Sequence, residues 1–356
     1  MRLNFRAMDK SVYIPDYAYD AAPDHGETVE VANGVNWLRM PLPFKLDHIN
    51  LWLLDDSDED SEGWAIVDTG IARDEVKAAW ERIFDSHFTK AKPLKRVIVT
   101  HFHPDHVGLA GWLTRRFDVP LWMPREEWTQ SRMSSLDTGE NFRATARRFY
   151  HAAGFDDEMM TAAKARGGRY AKSVSRVPGS FIRIQDGDRL RIGGRSWRTI
   201  IGKGHAPEHA CFHCEELGVL ISGDQVLPKI SPNISVWPQE PEADPLALFL
   251  ESLDFYRDLG PHTLVLPSHN LPFRGLDARL DDLRDHHAER LEFTLTVTAN
   301  PVTGVEVLRQ LFKRELDSHQ LFFAIGETLA HLHYLMGQGK IRRRVGVDGI
   351  HLFESY

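Results

Sequence analysis

The first third of the chain alternates short apolar runs with polar breaks. A strand-like segment on each side of Asn33-Gly34 predicts a hairpin, because this pair favours the tight turn between antiparallel strands. Further along, the pattern predicts strands at 48–56 and 63–70, a helix at 72–88, a strand at 95–100, a helix at 107–117 and a strand at 119–124. This order of strands and helices predicts a layered α/β core.

A charged, helix-favouring segment at 125–172 interrupts this pattern and predicts an insertion of helices that forms a lid or pocket wall. Strand patterns return from residue 180, and "HACFHCEELGVLIS" (209–222) predicts two short strands around a turn. Cys211 and Cys214 are three positions apart, so on a strand they point to opposite faces. A shared metal or a redox pair is therefore not expected.

The end of the chain has a different pattern. Apolar residues recur at three- and four-residue steps in a predicted helix, namely Phe322, Ile325, Leu329, Leu332 and Met336. A basic segment then predicts a small hairpin that turns at Asp348-Gly349. Helices followed by a hairpin predict a winged-helix-like module. We therefore expect an N-terminal extension (1–27), a core domain with the insertion (28–290) and a winged-helix-like C-terminal domain (291–356).

Composition narrows the class of protein. The 356 residues suffice for one large domain plus an appendage, and 42% hydrophobic residues are ordinary for a globular enzyme. A net charge of −8 argues against a general nucleic-acid binder and against binding to an anionic membrane. No signal peptide or membrane span is evident, and two cysteines fit a reducing compartment, so a cytoplasmic protein is expected.

The segment "VIVTHFHPDHVG" (97–108) carries the candidate chemistry. It places His101, His103, Asp105 and His106 directly after an apolar strand. On a tight loop the first two can turn toward one centre and the last two toward another. Imidazole and carboxylate are ligands that zinc and similar metals accept. Metal binding would explain why so many polar groups stand beside a core.

Three further ligand types follow later predicted strands: His205, Asp224 and His269. Together with the first segment, they predict a metal site assembled from several strand ends.

These residues resemble the signature of the metallo-β-lactamase superfamily, H-x-H-x-D-H followed by a separated His, Asp and His. The resemblance covers about residues 28–275. "DTG" (68–70) and "SGD" (222–224) are also similar to family segments. "GHAPEH" (204–209) departs from the family's G-H-T-P-G-H by having Glu208 where glycine is usual.

The resemblance implies the four-layer αββα sandwich of this superfamily, here with a helical insertion and a winged-helix-like appendage. It also implies two divalent metal ions, with zinc as the first expectation and iron or manganese compatible with the ligands. The implied ligands are His101, His103 and His205 for one ion, Asp105, His106 and His269 for the other, and Asp224 as the bridge. Aspartate at 224 and histidine at 103 argue against the antibiotic-hydrolysing subclass with cysteine and the iron flavoprotein branch with glutamate.

The implied activity is hydrolysis by a hydroxide that bridges the two metals. Asp105 would be a ligand and a later proton shuttle. Asp68 and His209 would orient ligand imidazoles from behind, with plain packing as the alternative for His209.

The expected substrate is a small ester, thioester or lactone. "QVLPKISPNISVWP" (225–238) lacks the Gly-Cys-Gly-rich stretch of glutathione thioesterases. Its residues Lys229, Ser231, Asn233 and Trp237 either line the substrate side or form an ordinary loop, and the substrate-binding residues are unknown. The loop "RMPLPFKLDH" (39–48) is a candidate flap.

Two alternatives remain at this point. The same metals serve endoribonucleases and phosphodiesterases, and "KIRRR" (340–344) would then contact phosphate. The acidic chain disfavours nucleic acid, and the hairpin is expected to pack against the core or a partner in a homodimer. A metal-binding scaffold without turnover is disfavoured because all seven ligands are present.

Overall fold

The structure, a computed structural model, describes residues 13–166, 168–313 and 315–356. The strands are β1 (Asp16–Tyr17), β2 (Thr28–Ala32), β3 (Val35–Pro41), β4 (His48–Asp55), β5 (Trp64–Val67), β6 (Leu94–Ile98), β7 (Leu121–Pro124), β8 (Ile182–Ile184), β9 (Arg189–Ile192), β10 (Arg195–Gly202), β11 (His209–Cys214), β12 (Val219–Gly223), β13 (Leu264–Pro267), β14 (Phe273–Arg274), β15 (Val302–Thr303), β16 (Ile341–Val345) and β17 (His351–Ser355).

The helices are α1 (Asp74–His87), α2 (Pro104–Val107), α3 (Ala110–Phe117), α4 (Arg125–Leu136), α5 (Glu140–Ala152), α6 (Asp157–Arg166), α7 (Arg169–Ser173), α8 (Pro245–Ser252), α9 (Leu276–Val297), α10 (Gly304–Leu311) and α11 (Ser318–Gly337). A short 3-10 turn follows α8 at Leu253–Tyr256. Within the described ranges, no helix is both long and apolar enough to span a membrane.

Two seven-stranded sheets form the centre of the fold. The first has the order β2-β3-β4-β5-β6-β7-β8, and the second has the order β1-β14-β13-β12-β11-β10-β9. Strands β5 to β8 pair in parallel, and so do β12 and β13. The predicted hairpin at Asn33-Gly34 is present as the antiparallel pair β2–β3.

Alternating side chains of the strands build two cores. On β4, Trp52 and Leu54 face the core between the two sheets, whereas Leu51 and Leu53 face the helices outside the first sheet. This is the period-two pattern of a strand that is buried on both faces. Trp80 and neighbouring apolar residues of α1 cover the outer face. The expected layered α/β architecture is confirmed.

The outer face of the second sheet packs against α8, α9 and α11, and Phe249, Leu280 and Ile325 share one core with Val265 of β13. The 22-residue helix α9 is not among the elements that the sequence pattern predicts. Residue 290, where the core domain is expected to end, lies inside this continuous helix. The domain division stays a prediction.

The insertion is helical, as predicted, and comprises α4 to α7. Its second half packs against the C-terminal region (residues 291–356). Tyr150 and Phe155 contact the Phe322 ring of α11, and the Val305 N–H donates to the Ala153 carbonyl at 2.9 Å. The insertion therefore links the first sheet's side of the molecule to the C-terminal region.

The C-terminal region continues from α9 in the order β15, α10, α11, β16 and β17. Strand β17 lies between β15 and β16 in a three-stranded sheet, and the predicted hairpin is the pair β16–β17. The assignment as a winged helix stays a prediction. Of the expected N-terminal extension, β1 pairs with β14, and residues 1–12 lie outside the described residues.

The two cysteines lie on opposite faces of β11, as predicted. Cys211 belongs to the core outside the second sheet, and Cys214 belongs to the core between the sheets. Both are free and buried.

Candidate metal centre

The predicted ligands follow strands whose ends meet at one edge of the sandwich. His101 follows β6, His205 follows β10, Asp224 follows β12 and His269 follows β13. Hydrogen bonds tie the two sheets together at this edge, including the Ala210 N–H to the Thr100 carbonyl at 3.0 Å. The loops that carry the candidate ligands are therefore held against one another by the backbone.

All seven predicted ligand residues come together there in two groups. In each group the potential ligand atoms lie within 4.8 Å of one another, and the groups are His101, His103, His205 and Asp224, and Asp105, His106 and His269. These groups match the two sets expected from the sequence resemblance.

Asp224 lies between the groups. Its Oδ2 is 3.4 Å from Nε2 of His205, whereas its Oδ1 is 3.5 Å from Nε2 of His106 and 3.4 Å from Nε2 of His269. The two oxygens of one carboxylate therefore face the two groups separately. This is the geometry that a bridging carboxylate requires.

Three of the candidate ligand imidazoles donate a hydrogen bond from Nδ1, the ring nitrogen that faces away from the centre. The partners are Asp68 Oδ2 for His106 at 2.7 Å, the Asn233 carbonyl for His205 at 2.9 Å and the His48 carbonyl for His269 at 2.8 Å. Because a carbonyl or carboxylate can only accept, each Nδ1 carries a proton, and Nε2 is the nitrogen that faces the centre. Each imidazole is therefore oriented to bind a metal through Nε2.

Asp68 itself is fixed by Thr100. The Thr100 backbone N–H donates to Asp68 Oδ1 at 2.8 Å, and the Thr100 hydroxyl donates to Asp68 Oδ2 at 2.8 Å. Thr100 directly precedes the histidine motif, but its residue type alone does not indicate this role.

His209 contacts both a ligand imidazole and the segment that carries Asp224. Its ring lies 4.6 Å from that of His101, and its Nε2 accepts the backbone N–H of Asp224 at 3.0 Å. Gly223 allows this approach, since a Cβ there would lie 2.4 Å from the His209 ring and φ is +53°. The role of His209 in orienting ligand imidazoles stays a prediction.

Buried polar atoms at the centre fit a metal ion. His106 Nε2 and Asp224 Oδ1 are buried and have no hydrogen-bond partner among the described residues. Leaving such an atom unpaired costs about 1–3 kcal/mol, and a divalent cation bound between imidazole and carboxylate removes that cost. Burial, together with repulsion from neighbouring imidazoles, holds the pKa of His101 well below its usual range, so it is neutral and able to bind metal.

Glu127 belongs to the site although it is not among the residues predicted from the sequence. Its carboxylate is fully buried and accepts the backbone N–H of Phe102 at 2.9 Å and that of Glu208 at 2.6 Å. Phe102 lies between two candidate ligands, and Glu208 follows His205 closely. One side chain thus joins two ligand-bearing loops. Burial raises the pKa of Glu127 to about 8, against the effect of the two N–H donors.

Glu208 in turn accepts a hydrogen bond from α4, the helix that carries Glu127. Its carboxylate accepts the backbone N–H of Glu126 at 2.9 Å, in the first turn of α4. A helix N-terminus has unpaired N–H groups that favour a negative charge. This contact gives a physical reason for glutamate at a position where the family usually has glycine.

Replacing Glu127 by alanine is expected to loosen both loops. Two buried N–H groups would lose their acceptor, at about 1–3 kcal/mol each, so the free energy of unfolding should fall by about 2–6 kcal/mol. Chemical denaturation measures this. Glu126→Ala is the matched control, because the Glu126 side chain is half exposed and such changes usually stay within about 0.5 kcal/mol. Equal stability of the two variants would contradict the role assigned to Glu127.

The residues proposed for the substrate side lie in different environments. Lys229 is exposed and Ser231 is partly exposed. Asn233 supports His205 through its carbonyl, and the Trp237 ring meets that of Phe323 edge-on at 5.9 Å. Asn233 and Trp237 thus have structural contacts, and contact of any of the four with substrate stays a prediction.

Several known proteins are similar to this chain in structure or in sequence. A solved beta-lactamase domain protein from Burkholderia ambifaria is 45% identical and superimposes with a TM-score of 0.89 over 96% of this chain and 98% of its own. The probable metallo-hydrolase YqjP of Bacillus subtilis is 25% identical over 85% of this chain and 92% of its own. The human acyl-coenzyme A thioesterase MBLAC2 is 22% identical over 55% of this chain and 64% of its own.

Two family models match separate parts of the chain. Residues 291–356 match the model described as the C-terminal domain of metallo-beta-lactamase-like proteins. Residues 45–269, which include all seven candidate ligands, match the model of the metallo-beta-lactamase superfamily. The chain therefore belongs to the metallo-β-lactamase superfamily of metallo-hydrolases.

Proposed function

We propose that this protein is a dinuclear metal-dependent hydrolase of a small ester, thioester or lactone. The observation that carries the proposal is the position of Asp224, whose two carboxylate oxygens face two separate groups of ligand atoms. If the site held a single ion, the two oxygens of Asp224 would not need to face separate groups of ligand atoms.

In this proposal His101, His103 and His205 would hold one ion, Asp105, His106 and His269 would hold the other, and Asp224 would contribute one oxygen to each. Zinc is the first expectation for this ligand set, and iron or manganese is compatible with it. Divalent ions at this site would supply an activated water, whose pKa they would lower toward about 7, and would polarise the substrate's carbonyl oxygen.

The protein's own groups supply orientation and proton transfer. Asp105 Oδ2 is 3.7 Å from Nε2 of His269, and its side chain is 20% exposed, compared with 10% for Asp224. Of these two acids, Asp105 is thus the better placed to pass a proton between the site and solvent. We assign it the transfer of a proton to the leaving group.

The carbonyl substrate class draws support from a relative. MBLAC2 is named an acyl-coenzyme A thioesterase, and a thioester has the electrophilic carbonyl that this site would polarise. The helical insertion also borders the centre, because the Tyr170 hydroxyl of α7 donates to the Phe102 carbonyl at 2.5 Å. An acyl or aromatic substrate group would then contact the insertion.

The alternative, an endoribonuclease or phosphodiesterase, finds less support in the C-terminal hairpin. Arg343 forms two hydrogen bonds to Glu242, at 3.0 and 2.9 Å. Arg342 and Arg344 both pair with Glu354, at 2.8 and 2.9 Å. These ion pairs partly neutralise the arginines that would have to contact phosphate.

Hydrolysis by metal-quantified protein tests the proposal. One panel contains acyl thioesters, lactones and aryl esters, and the other contains single-stranded RNA and a phosphodiester dye. We expect turnover in the first panel that chelation removes and metal restores. Cleavage of RNA alone would make the alternative correct, and turnover that survives removal of all metal would overturn both. A small molecule remains the expected partner, and the homodimer stays a prediction.

The Asp68→Asn variant tests whether Asp68, through His106, supports the ion assigned to Asp105, His106 and His269. The variant keeps an acceptor for His106 but loses the negative charge, and such changes typically cost about 10–100-fold in metal affinity or activity. Titration with Zn²⁺ against a chromophoric chelator measures the affinity. Asp56→Asn is the control, since Asp56 is equally buried but pairs with Arg96 at the other end of its sheet. An unchanged affinity in Asp68→Asn would argue against this role.

A further inference from the structure

Helix α11 of the C-terminal region packs directly on the loop at 233–237. The Val236 N–H donates to the Gly326 carbonyl at 3.1 Å, and the Ser235 hydroxyl lies 3.4 Å from the Phe323 carbonyl. The Trp237 ring meets the Phe323 ring edge-on. Three consecutive residues of this loop thus contact one face of the helix.

The same loop holds a candidate metal ligand. The Asn233 carbonyl accepts the Nδ1–H of His205 at 2.9 Å, and the Asn233 side chain accepts the Ser235 hydroxyl at 2.9 Å. A short chain of contacts therefore runs from α11 through Ser235 and Asn233 to His205. Ser235 is 6% exposed, so solvent contributes little to the loop's position.

Gly326 makes the close approach of helix and loop possible. A Cβ at this position would lie 2.6 Å from Ser235 Oγ and 2.7 Å from Ser235 Cβ. Glycine within a helix costs about 1 kcal/mol relative to alanine. Gly326 therefore lowers the stability of the helix slightly, but any larger residue at this position would displace the loop that supports His205.

A second contact joins the C-terminal region to the other side of the centre. Lys45 of the candidate flap is 4.0 Å from Asp317, which precedes α11. The flap leads into His48, whose carbonyl holds Nδ1 of His269. Both side chains are exposed, so this ion pair contributes little to stability. It nevertheless places the C-terminal region near the loop that supports His269 as well as the loop that supports His205.

We propose that the C-terminal region is a positioning element of the metal centre, and that α11 sets the orientation of His205 through the loop at 233–237. This inference rests on the proposed metal site, but it assigns the C-terminal region a role that does not involve nucleic acid. Loss of the contact loosens the ion held by His101, His103 and His205 before it affects the other ion.

The full-length Gly326→Ala variant tests the proposal by metal affinity. The added methyl group displaces Ser235, so the binding step for Zn²⁺ at His101, His103 and His205 should lose about 10-fold or more in affinity, comparable to other losses of support behind a ligand, while the other step changes less. Gly337→Ala is the matched control in the same helix, where the nearest atom to a new Cβ is a carboxylate oxygen of Asp244 at 3.3 Å. Its affinity should equal that of the wild type.

A compensating substitution separates displacement of the loop from general damage. Ser235→Gly in the Gly326→Ala background removes the side chain that the new methyl group meets, so the double variant should bind Zn²⁺ more tightly than Gly326→Ala alone. If Gly326→Ala does not fold, Ser235→Ala removes only the hydroxyl and should weaken the same binding step by a few fold.

Two results would overturn the inference: wild-type affinity in a folded Gly326→Ala or Ser235→Ala variant, or an equal loss in Gly337→Ala. The readout is binding of Zn²⁺ alone, so it does not depend on turnover. A wild-type protein that binds two ions but hydrolyses none of the panel would refute the proposed function and leave this inference intact.

Discussion

Replacing His103 by alanine is expected to abolish turnover and to lower the metal content from two ions per chain to about one. The Nδ1 of His103 lies 3.0 Å from Nε2 of His101, so it belongs to the first group of ligand atoms. Without it, that group keeps two imidazoles and one oxygen of Asp224. We expect a loss of at least about 100-fold in kcat/KM, since even changes behind a ligand cost about 10–100-fold.

The measurement pairs elemental analysis of the purified variant with its hydrolysis rate. His213→Ala is the matched control, because His213 is also a buried histidine but lies at the far end of β11 from the centre. The control should retain both ions and its activity. Full activity of the His103 variant, with one ion or none, would refute the mechanism.

Replacing Asp224 by asparagine is expected to weaken both ions together. Despite its burial, attraction to the positively charged imidazoles of His269 and His106, whose own pKa values are raised, holds the pKa of Asp224 well below its usual range, so the group is a carboxylate at neutral pH. Asparagine removes the charge and turns one of the two oxygens into an N–H donor, which cannot bind a cation. Turnover should fall by at least about 100-fold.

Zn²⁺ titration distinguishes this variant from the first. His103→Ala should leave one tight binding step, whereas Asp224→Asn should weaken both steps because each oxygen faces a different group. Asp56→Asn serves as the control for loss of a buried carboxylate away from the centre. Two unchanged binding steps in Asp224→Asn would show that Asp224 does not bridge.

Much of the candidate site could be predicted because its signals are local. His101, His103, Asp105 and His106 lie within six positions after an apolar strand, and a strand has a clear pattern of its own. The other three candidate ligands also follow predicted strands. The ends of strands in packed sheets meet at common edges, so residues distant in sequence could be assigned to one centre before their distances were known.

The groups that support the ligands were harder to predict. Glu127 accepts backbone N–H groups from two remote loops. Every residue except proline has such a group, so the residue types in those loops do not indicate the contact. The Asn233 and His48 carbonyls act through the main chain for the same reason. His209 was noticed, but its partner is also a backbone N–H.

Helix α9 was missed for a different reason. Its inner face buries Arg279 and His287 beside its leucines, so the apolar periodicity that marks a helix is interrupted. Arg279 donates to the carbonyls of Leu227 and Ile230, and the Nδ1 of His287 lies 3.3 Å from the Nε2 of His331. Polar residues that find partners only in the folded state do not resemble core residues in the sequence.

The positions of the two cysteines have a practical consequence for work on the metals. Cys211 and Cys214 are buried in different cores, and burial raises the pKa of Cys211 to about 12, so thiolate is scarce in the native state. Oxidation during purification requires an accessible thiolate. The protein can therefore be prepared without dithiothreitol or mercaptoethanol, which themselves bind zinc, and the ions counted per chain are then those that the protein holds without competition from the buffer.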